Sequence, residues 1–399
     1  MKNKPLLAIF LIVFIDLLGF GLILPLLPYY AETFGASDTV IGLLVASYAA
    51  AQLIGASLLG RLSDRYGRKP ILVLSLIGTL VSFILLGIAQ SLLLLFIARI
   101  FDGLTGGNIS VAQAYIADVT DEKNRAKGLG MIGAAFGLGF IIGPATGGLL
   151  SQFGYSVPAF AAAGLVTINL LMVFFWLPES LSPEKRAEME MIEKPRLNLS
   201  SMLQALQRPF SGPLLITRFF FGLAFAIFQT IFSLYALRRF NLTATETGFI
   251  LTYVGLLSVI VQGGLVGKLT ERFRDDQLIL SSVGIMALSL LGWAFTPTVV
   301  ILLIVLAPIS YAGGVLNTVI SSALTKSVAG HEIGGILGFS SSIESLTRVI
   351  APTLGGILLE RLGYWSPGTF SAILLTGLFL YILKRICNHP LVKGTTQNS

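Results

Sequence analysis

Apolar stretches of about twenty residues recur along the whole chain and are separated by short polar connections. An α-helix needs a stretch of that length to cross the hydrocarbon of a bilayer. A β-barrel would instead need alternating segments of about ten residues, which do not occur. The pattern therefore predicts an all-α integral membrane protein with twelve spans, numbered in chain order. The spans are 5–30, 39–59, 71–89, 92–116, 127–150, 157–177, 213–236, 245–267, 277–295, 298–323, 333–359 and 367–386.

Composition supports a membrane protein and excludes several other classes. Hydrophobic residues make up 54% of the chain and charged residues 12%, where a soluble domain has about 25% charged residues. The single cysteine, Cys387, excludes an internal disulfide, and with only His331 and His389 we expect no metal and no cofactor. No nucleophile–base constellation or phosphate loop is recognisable, so we expect no enzyme activity.

The basic residues are distributed unevenly between the two sides of the predicted bilayer. Twelve spans place both termini on one side. That side holds 21 Lys and Arg, counting Lys127, Lys384 and Arg385 at span ends, against three on the other side and three well inside spans. The positive-inside rule therefore predicts that both termini are cytoplasmic. We expect the protein to lie in the plasma membrane, which is the inner membrane if the source is bacterial. The net charge of +7 thus indicates the lipid bilayer as a partner and not a nucleic acid. The first span is too long for a signal-peptide core, so we expect it to be retained.

Two segments of the first half recur in the second. Residues 60–66 reappear as 267–273, an offset of 207, and residues 144–150 reappear as 352–358, an offset of 208. With six spans in each half, matching spans run in the same direction. We therefore predict a six-helix bundle over 1–177, a cytoplasmic linker over 178–212 with a short surface helix at 183–194, and a second six-helix bundle with a cytoplasmic tail over 213–399. Such parallel repeats place a substrate site at the interface of the halves, near the bilayer midplane.

The connection between spans 2 and 3 reads GRLSDRYGRKP from position 60. Gly60 would allow two helix ends to approach closely, and Gly67 an unusual turn. The segment resembles the signature loop of the major facilitator superfamily, which implies a twelve-helix transporter and a gating hinge. The alternative is a basic loop that only anchors to lipid headgroups. The resemblance makes Asp118 the partner of Arg68 and covers these hinge positions: Gly60, Asp64, Arg65, Gly67, Arg68, Lys69 and Asp118.

Span 5 carries glycines at positions 139, 143 and 147, followed by Gly148, with Pro144 among them. Glycines four residues apart give a flat helix face on which another helix packs closely, and a proline removes one backbone hydrogen bond. The run resembles the motif of proton-driven antiporters in the same superfamily. Generic packing by small residues is the alternative.

Asp16 lies near the middle of span 1. An ionised carboxylate at a helix centre costs about 2.5–3.5 kcal/mol even on insertion scales, so we expect it to face a cavity or a partner. The surrounding sequence resembles the first span of twelve-helix drug–proton antiporters, which implies that Asp16 couples proton movement to transport; a purely structural acid is the alternative. In span 4, Arg99 and Asp102 share a helix face. The resemblance makes Arg99 a modulator of the carboxylate, but Asp102 stands where glutamine is common, so Arg99 acts on Asp16 or is held by Asp102.

Other polar residues within spans are candidates for lining a substrate cavity, or alternatively for contacts between helices. Glu344 and Arg348 lie four residues apart in span 11, as a neutralised pair or as a substrate contact. The candidates are Gln52, Asn108, Gln113, Tyr115, Gln229, Asn317, Glu344 and Arg348.

The resemblance is strongest in the first half and is to the tetracycline/multidrug–proton antiporter branch. Tetracycline exporters of that branch also have acids in spans 3 and 9 and a histidine in span 8, none of which is present here. We therefore expect a proton-coupled exporter of amphiphilic drugs or lipid-like compounds, functional as a monomer. The alternatives are a facilitator or symporter for sugars, organic acids or lysolipids, and a non-transporting membrane scaffold or receptor.

Overall fold

The computed structural model describes residues 4–182, 184, 186 and 205–387, and within them the secondary structure is helical throughout. Most of the predicted 183–194 surface helix lies outside the described residues. The helices are α1 (Lys4–Ile23), α2 (Leu27–Glu32), α3 (Asp38–Tyr66), α4 (Arg68–Gly87), α5 (Leu92–Thr105), α6 (Asn108–Val119), α7 (Glu122–Ser151), α8 (Ser156–Trp176), α9 (Ser211–Phe240), α10 (Ala244–Ile260), α11 (Val266–Arg272), α12 (Asp275–Ala294), α13 (Val299–Lys326), α14 (Ile333–Leu362) and α15 (Ser366–Ile382).

Each of the twelve predicted spans coincides with one of these helices or with a consecutive pair. Eleven are long and apolar enough to cross a membrane. The twelfth, α14, has 30 residues and is therefore long enough, but it is more polar because it carries the serines 340–342 together with Glu344 and Arg348. Span 4 is divided into α5 and α6 at Gly106 and Gly107, and a π-helical turn, Val261–Leu265, separates α10 from α11.

Side chains and glycines set several helix ends. The side chain of Ser91 accepts a hydrogen bond from the backbone N–H of Leu94 at the start of α5, and that of Asp121 accepts one from Asn124 at the start of α7. Gly67 ends α3 with a φ of +107°. A side chain is strained in that left-handed region, so glycine suits this position.

The chain forms two compact units, which are residues 1–194 with 241–255, and residues 195–240 with 256–399. In the first unit α1 packs on α7 and α8, and α4 packs on α5 and α8. In the second unit α9 packs on α14 and α15, and α12 packs on α13 and α15. Helices that match by the sequence offset thus have matching neighbours in each unit. The predicted boundaries of the bundles, at 177 and 213, stay a prediction.

Candidate functional site

Asp16 lies in the middle of α1, half-buried, beside the break between α5 and α6. Asn108, the first residue of α6, lines the same small cavity as Asp16. A helix N-terminus carries a partial positive charge of about half an elementary charge and stabilises anions. A cavity of about 10 Å³, room for about one water molecule, adjoins the pair and is also lined by Asn169 and Ala112. The helix break thus brings a hydrogen-bond donor and space for water to a carboxylate within a span.

Arg99 and Asp102 form an ion pair of 2.8 Å on α5, and both side chains are almost completely buried. The guanidinium also lies over the ring of Tyr48, 4.1 Å from the ring centroid. Of the two partners that the sequence left open for Arg99, the structure places Asp102 in contact. Asp102 in turn lies close enough to Asp16 for the two carboxylates to repel each other. Sequence patterns gave no reason to single out Tyr48.

The glycine face of α7 packs directly on α1 beside Asp16. A Cβ atom added to Gly139 would lie 3.0 Å from Leu17, and one added to Gly143 would lie 2.7 Å from the backbone of Gly21. A Cβ atom added to Gly147 would lie closer still, against the backbone carbonyl of Leu22. The predicted flat face is therefore used, and its partner is the helix that carries the acid.

Gly148 and Pro144 lie against the first part of α10 within the same unit. Thr245 donates a hydrogen bond to the carbonyl of Gly148 over 2.6 Å, and Thr252 donates one to the carbonyl of Ile141 over 2.7 Å. Pro144 has no N–H for the carbonyl of Phe140, four residues earlier. Backbone carbonyls of α7 near the proline thus accept hydrogen bonds from threonine side chains of α10.

Arg68, at the start of α4, is the centre of an ion-pair cluster. Its guanidinium lies 2.6 Å from Asp64 and 2.9 Å from Asp118, and it donates to the hydroxyl of Ser63 over 2.8 Å. The structure thus brings together Arg68 and Asp118, which the family resemblance paired. Ser180 also donates to Asp118, over 2.9 Å. We call these residues the hinge cluster.

Glu179 belongs to the hinge cluster although no sequence signal singled it out. Its carboxylate accepts hydrogen bonds from the backbone N–H groups of Arg68, over 2.9 Å, and Lys69, over 3.1 Å. It therefore caps the N-terminus of α4, where N–H groups have no partner within the helix. Glu179 follows the last helix of the first repeat, more than 100 residues from the loop in sequence, so helical periodicity could not connect the two.

The remaining hinge positions differ in their surroundings. Lys69 donates to the carbonyl of Phe174 over 2.8 Å, and Arg65 lies near the ring of Tyr66, 5.5 Å from its centroid. The close approach of helix ends expected at Gly60 is not found, since an added Cβ atom would meet nothing within 4 Å. A Cβ atom on Gly67 would lie 2.5 Å from Glu179. Gly67 is therefore the glycine that the geometry of this loop requires.

Three candidate cavity residues of the second unit form one charged cluster with Arg218. Arg218 donates to Glu344 over 2.5 Å and to the side-chain oxygen of Asn317 over 2.8 Å, and Arg348 donates to the other oxygen of Glu344 over 2.7 Å. The predicted Glu344–Arg348 pair is thus present, and Arg218 on α9 joins it. No sequence pattern connected Arg218 to α14.

The other cavity candidates lie apart from this cluster. Gln52 donates to the hydroxyl of Tyr48 over 2.8 Å and to the carbonyl of Gly106 over 3.4 Å, which places it at the helix break. Gln113 and Gln229 are exposed. Tyr115 is completely buried, and its hydroxyl has no hydrogen-bond partner among the described residues. None of the described residues forms a cluster of His, Cys, Asp or Glu fit to hold a metal ion.

Comparison with known proteins places the chain in one family. The model of the Major Facilitator Superfamily matches residues 9–310 and 214–397. The class H tetracycline resistance protein of Pasteurella multocida is 33% identical over 404 residues, covering 99% of this chain and 98% of that protein. Multidrug resistance protein 2 of Bacillus subtilis (strain 168) is 31% identical over 374 residues, covering 92% of each.

Solved structures show the same fold at lower identity. A bacterial homologue of the human lysosomal transporter Spinster, inward-facing and occupied, superposes with a TM-score of 0.81 at 15% identity over 98% of both chains. The human organic anion transporter MFSD10 gives a TM-score of 0.70 at 22% identity, over 96% of this chain and 99% of that one. With membrane-spanning helices in both halves and relatives that match along nearly its whole length, this multi-pass membrane protein belongs to the major facilitator superfamily, a family of transporters for small molecules.

Proposed function

We propose that this transporter exports amphiphilic drugs or related small molecules in exchange for protons, by alternating access and as a monomer. The observation that carries the proposal is the position of Asp16, mid-span beside Asn108, the N-terminus of α6 and a water-sized cavity. Relatives named for tetracycline resistance and multidrug resistance support the substrate class. The distribution of basic residues supports cytoplasmic termini.

Asp16 has the surroundings that a proton carrier needs. The apolar bilayer disfavours an ionised carboxylate, whereas Asn108 and the positive end of α6 stabilise one. Because these influences oppose each other, a small displacement of α6 relative to α1 changes whether the protonated or the ionised form of Asp16 is favoured. In the proposed cycle, Asp16 binds a proton on one side of the membrane and releases it on the other.

The surrounding groups provide the mechanical link between that proton and the rest of the first unit. The glycine face of α7 holds α1 at close range, so a shift of α1 moves α7 as well. The same stretch of α7 is hydrogen-bonded to α10 through Thr252 and Thr245. In the proposal, α1, α7 and α10 move together between the two conformations of alternating access, and protonation of Asp16 favours one of these conformations.

The driving force follows from the exchange of one proton per substrate. For a substrate without net charge, each 100 mV of membrane potential supplies about 2.3 kcal/mol and each unit of pH difference about 1.4 kcal/mol. Removal of the carboxylate abolishes both contributions and leaves the cavity nearly unchanged in shape. Asp16→Asn is therefore expected to bind substrate and to exchange it, but not to concentrate it against a gradient.

The test uses purified protein in proteoliposomes with an imposed pH gradient, a panel of amphiphilic dyes and a pH indicator. Wild-type protein is expected to accumulate a dye and to release protons when the dye binds, and Asp16→Asn to lose both. Asp276→Asn is the control, since this carboxylate lies in the first turn of α12 and pairs with Arg274, two residues earlier. Normal uphill transport by Asp16→Asn would assign coupling to another acid, with Asp102 and Glu344 the next to replace.

A facilitator or symporter would give a different result in the same assay. Dye movement that ignores the pH gradient would indicate a facilitator, and protons moving in the same direction as the dye would indicate a symporter. A scaffold or receptor would move no dye at all.

A further inference from the structure

The charged cluster on α9, α13 and α14 contains one positive charge more than it contains negative charge. It has two arginines, Arg218 and Arg348, and one acid, Glu344. Glu344 already uses both of its carboxylate oxygens, one for each arginine. The sequences of α9, α13 and α15, the long helices that pack on α14, contain no Asp or Glu. The 3₁₀ turn Gly330–Glu332 also contacts α14, and its Glu332 pairs with Arg208. No second acid on these helices therefore balances the cluster.

The arginines differ in their exposure. The side chain of Arg218 is 9% exposed, that of Glu344 32% and that of Arg348 58%. Arg218 also keeps its buried Nε without a hydrogen-bond partner among the described residues. Arg218 is thus the buried end of the cluster and Arg348 its exposed end.

Arg348 lies near the middle of a 30-residue helix. A guanidinium facing lipid at that depth is costly, and charged residues within spans therefore face a bundle interior or a water-filled cavity. The face of α14 around Arg348 is polar, since Ser341, Glu344 and Ser345 fall on it at helical spacing. This face is consequently one that water and a solute reach.

Aromatic side chains follow Arg218 along α9, of which Phe221 is buried and Phe225 half-buried. Phe225 lies two helical turns from Arg218, and its ring is stacked on that of Phe221 at 5.6 Å between centroids. Gly313 on α13 makes room for the Phe225 ring, because an added Cβ atom would lie 2.9 Å from it. A cation beside aromatic rings matches a molecule with an anionic group on an apolar body.

We propose that the Arg218–Glu344–Arg348 cluster is a subsite for the anionic group, a carboxylate or similar oxyanion, of an amphiphilic small-molecule substrate. Arg348 supplies the exposed donors, Glu344 orients Arg348, and Arg218 holds Glu344. The assignment rests on the proposed function in that the bound molecule is the transported one. It narrows the substrate class to organic anions and zwitterions.

The test compares two dyes that differ only at the anionic group, rhodamine B with its free carboxylate and rhodamine B ethyl ester. Binding of each to full-length purified protein is measured by fluorescence polarisation without any gradient. Hydrogen bonds to charged groups are typically worth a factor of about ten or more in binding. Wild-type protein is therefore expected to prefer the free acid, and Arg348→Gln to weaken the acid about tenfold while leaving the ester within about twofold.

Arg348→Lys keeps the charge and is expected to recover part of the preference, whereas the control Lys326→Gln, which alters a surface pair with Asp275, changes neither dye. Equal loss for both dyes in Arg348→Gln, or a wild-type protein indifferent to the carboxylate, would overturn the subsite. Competition by phosphatidylglycerol in otherwise phosphatidylcholine nanodiscs would assign the cluster to a lipid headgroup and overturn it as well. The assay needs no gradient, so failure of proton coupling leaves its result unaffected, and Asp16→Asn is expected to keep the preference.

Discussion

At the scale of single residues, the hinge cluster shows what family resemblance contributes and what it omits. The pairing of Arg68 with Asp118 was expected from the signature loop, and the structure places the two 2.9 Å apart. Glu179 and Ser180 complete the cluster, yet neither belongs to the loop motif. Their contribution depends on tertiary packing between residues far apart in sequence, which no local pattern encodes.

Asp64→Asn is expected to slow transport strongly and to leave equilibrium substrate affinity within a few fold. Asp64 holds Arg68 at 2.6 Å, and the loop lies a helix length away from the midplane, so the substitution alters a conformational step and not substrate contacts. Transport rates in proteoliposomes and dye binding in detergent measure the two effects separately. Loss of affinity as large as the loss of rate, in a folded mutant, would count against a hinge role.

Glu179→Ala is expected to reproduce the transport defect of Asp64→Asn and to lower thermal stability. The substitution leaves the N–H groups of Arg68 and Lys69 without their acceptor, and loss of a helix cap costs about 0.5–2 kcal/mol. The control is Glu184→Ala, because Glu184 follows closely in sequence and is exposed. A thermal-shift assay and a transport assay on both variants give the comparison, and identical behaviour of the two would contradict the capping role.

At the scale of elements, the lengths and positions of the helices could be predicted because bilayer thickness fixes them. The break in span 4 at Gly106 and Gly107 and the π-helical turn Val261–Leu265 were not predicted. Both interruptions occur at paired glycines within apolar runs, where hydropathy alone registers one continuous span. The glycines of span 5 predicted only that α7 has a flat face. The structure shows that the helix packed on this face is α1.

Gly143→Ala is expected to impair folding or transport, while Gly133→Ala on the same helix is tolerated. A Cβ atom at position 143 would lie 2.7 Å from the backbone of Gly21, whereas one at position 133 meets nothing within 4 Å. Overpacking of this kind costs about 1–3 kcal/mol. The measurements are the expression level, the melting temperature and the dye transport of both variants. If both substitutions are tolerated equally well, the close α1–α7 contact is not needed for folding or transport.

At the scale of the whole molecule, two offsets of nearly the same size predicted a repeated design, and each unit contains matching helix neighbours. The proposed orientation in the membrane rests on the count of basic residues. Substrate chemistry was the least predictable property. The acids and the histidine that tetracycline exporters of this branch have in spans 3, 8 and 9 are absent, and the charged cluster depends on contacts between α9, α13 and α14.

Thiol labelling tests the orientation. In a Cys387→Ser background, which leaves no native cysteine, Arg361→Cys is expected to react with a membrane-impermeant maleimide added to intact cells, and Arg272→Cys only after the cells are opened. Both positions are exposed at helix ends. The reverse labelling pattern would place the termini outside.

The cap that Glu179 places on α4 has a consequence for how the protein is made. Asp64, Arg68 and Asp118 are synthesised well before Glu179 and Ser180, and domains fold in order as the ribosome delivers them, at about 5–20 residues per second. The N–H groups at the start of α4 therefore wait for their acceptor until the sixth span has been threaded into the membrane. The cluster is therefore complete only after all six spans of the first repeat have been synthesised. A nascent chain stalled before residue 179 lacks the carboxylate that accepts from the N–H groups of Arg68 and Lys69.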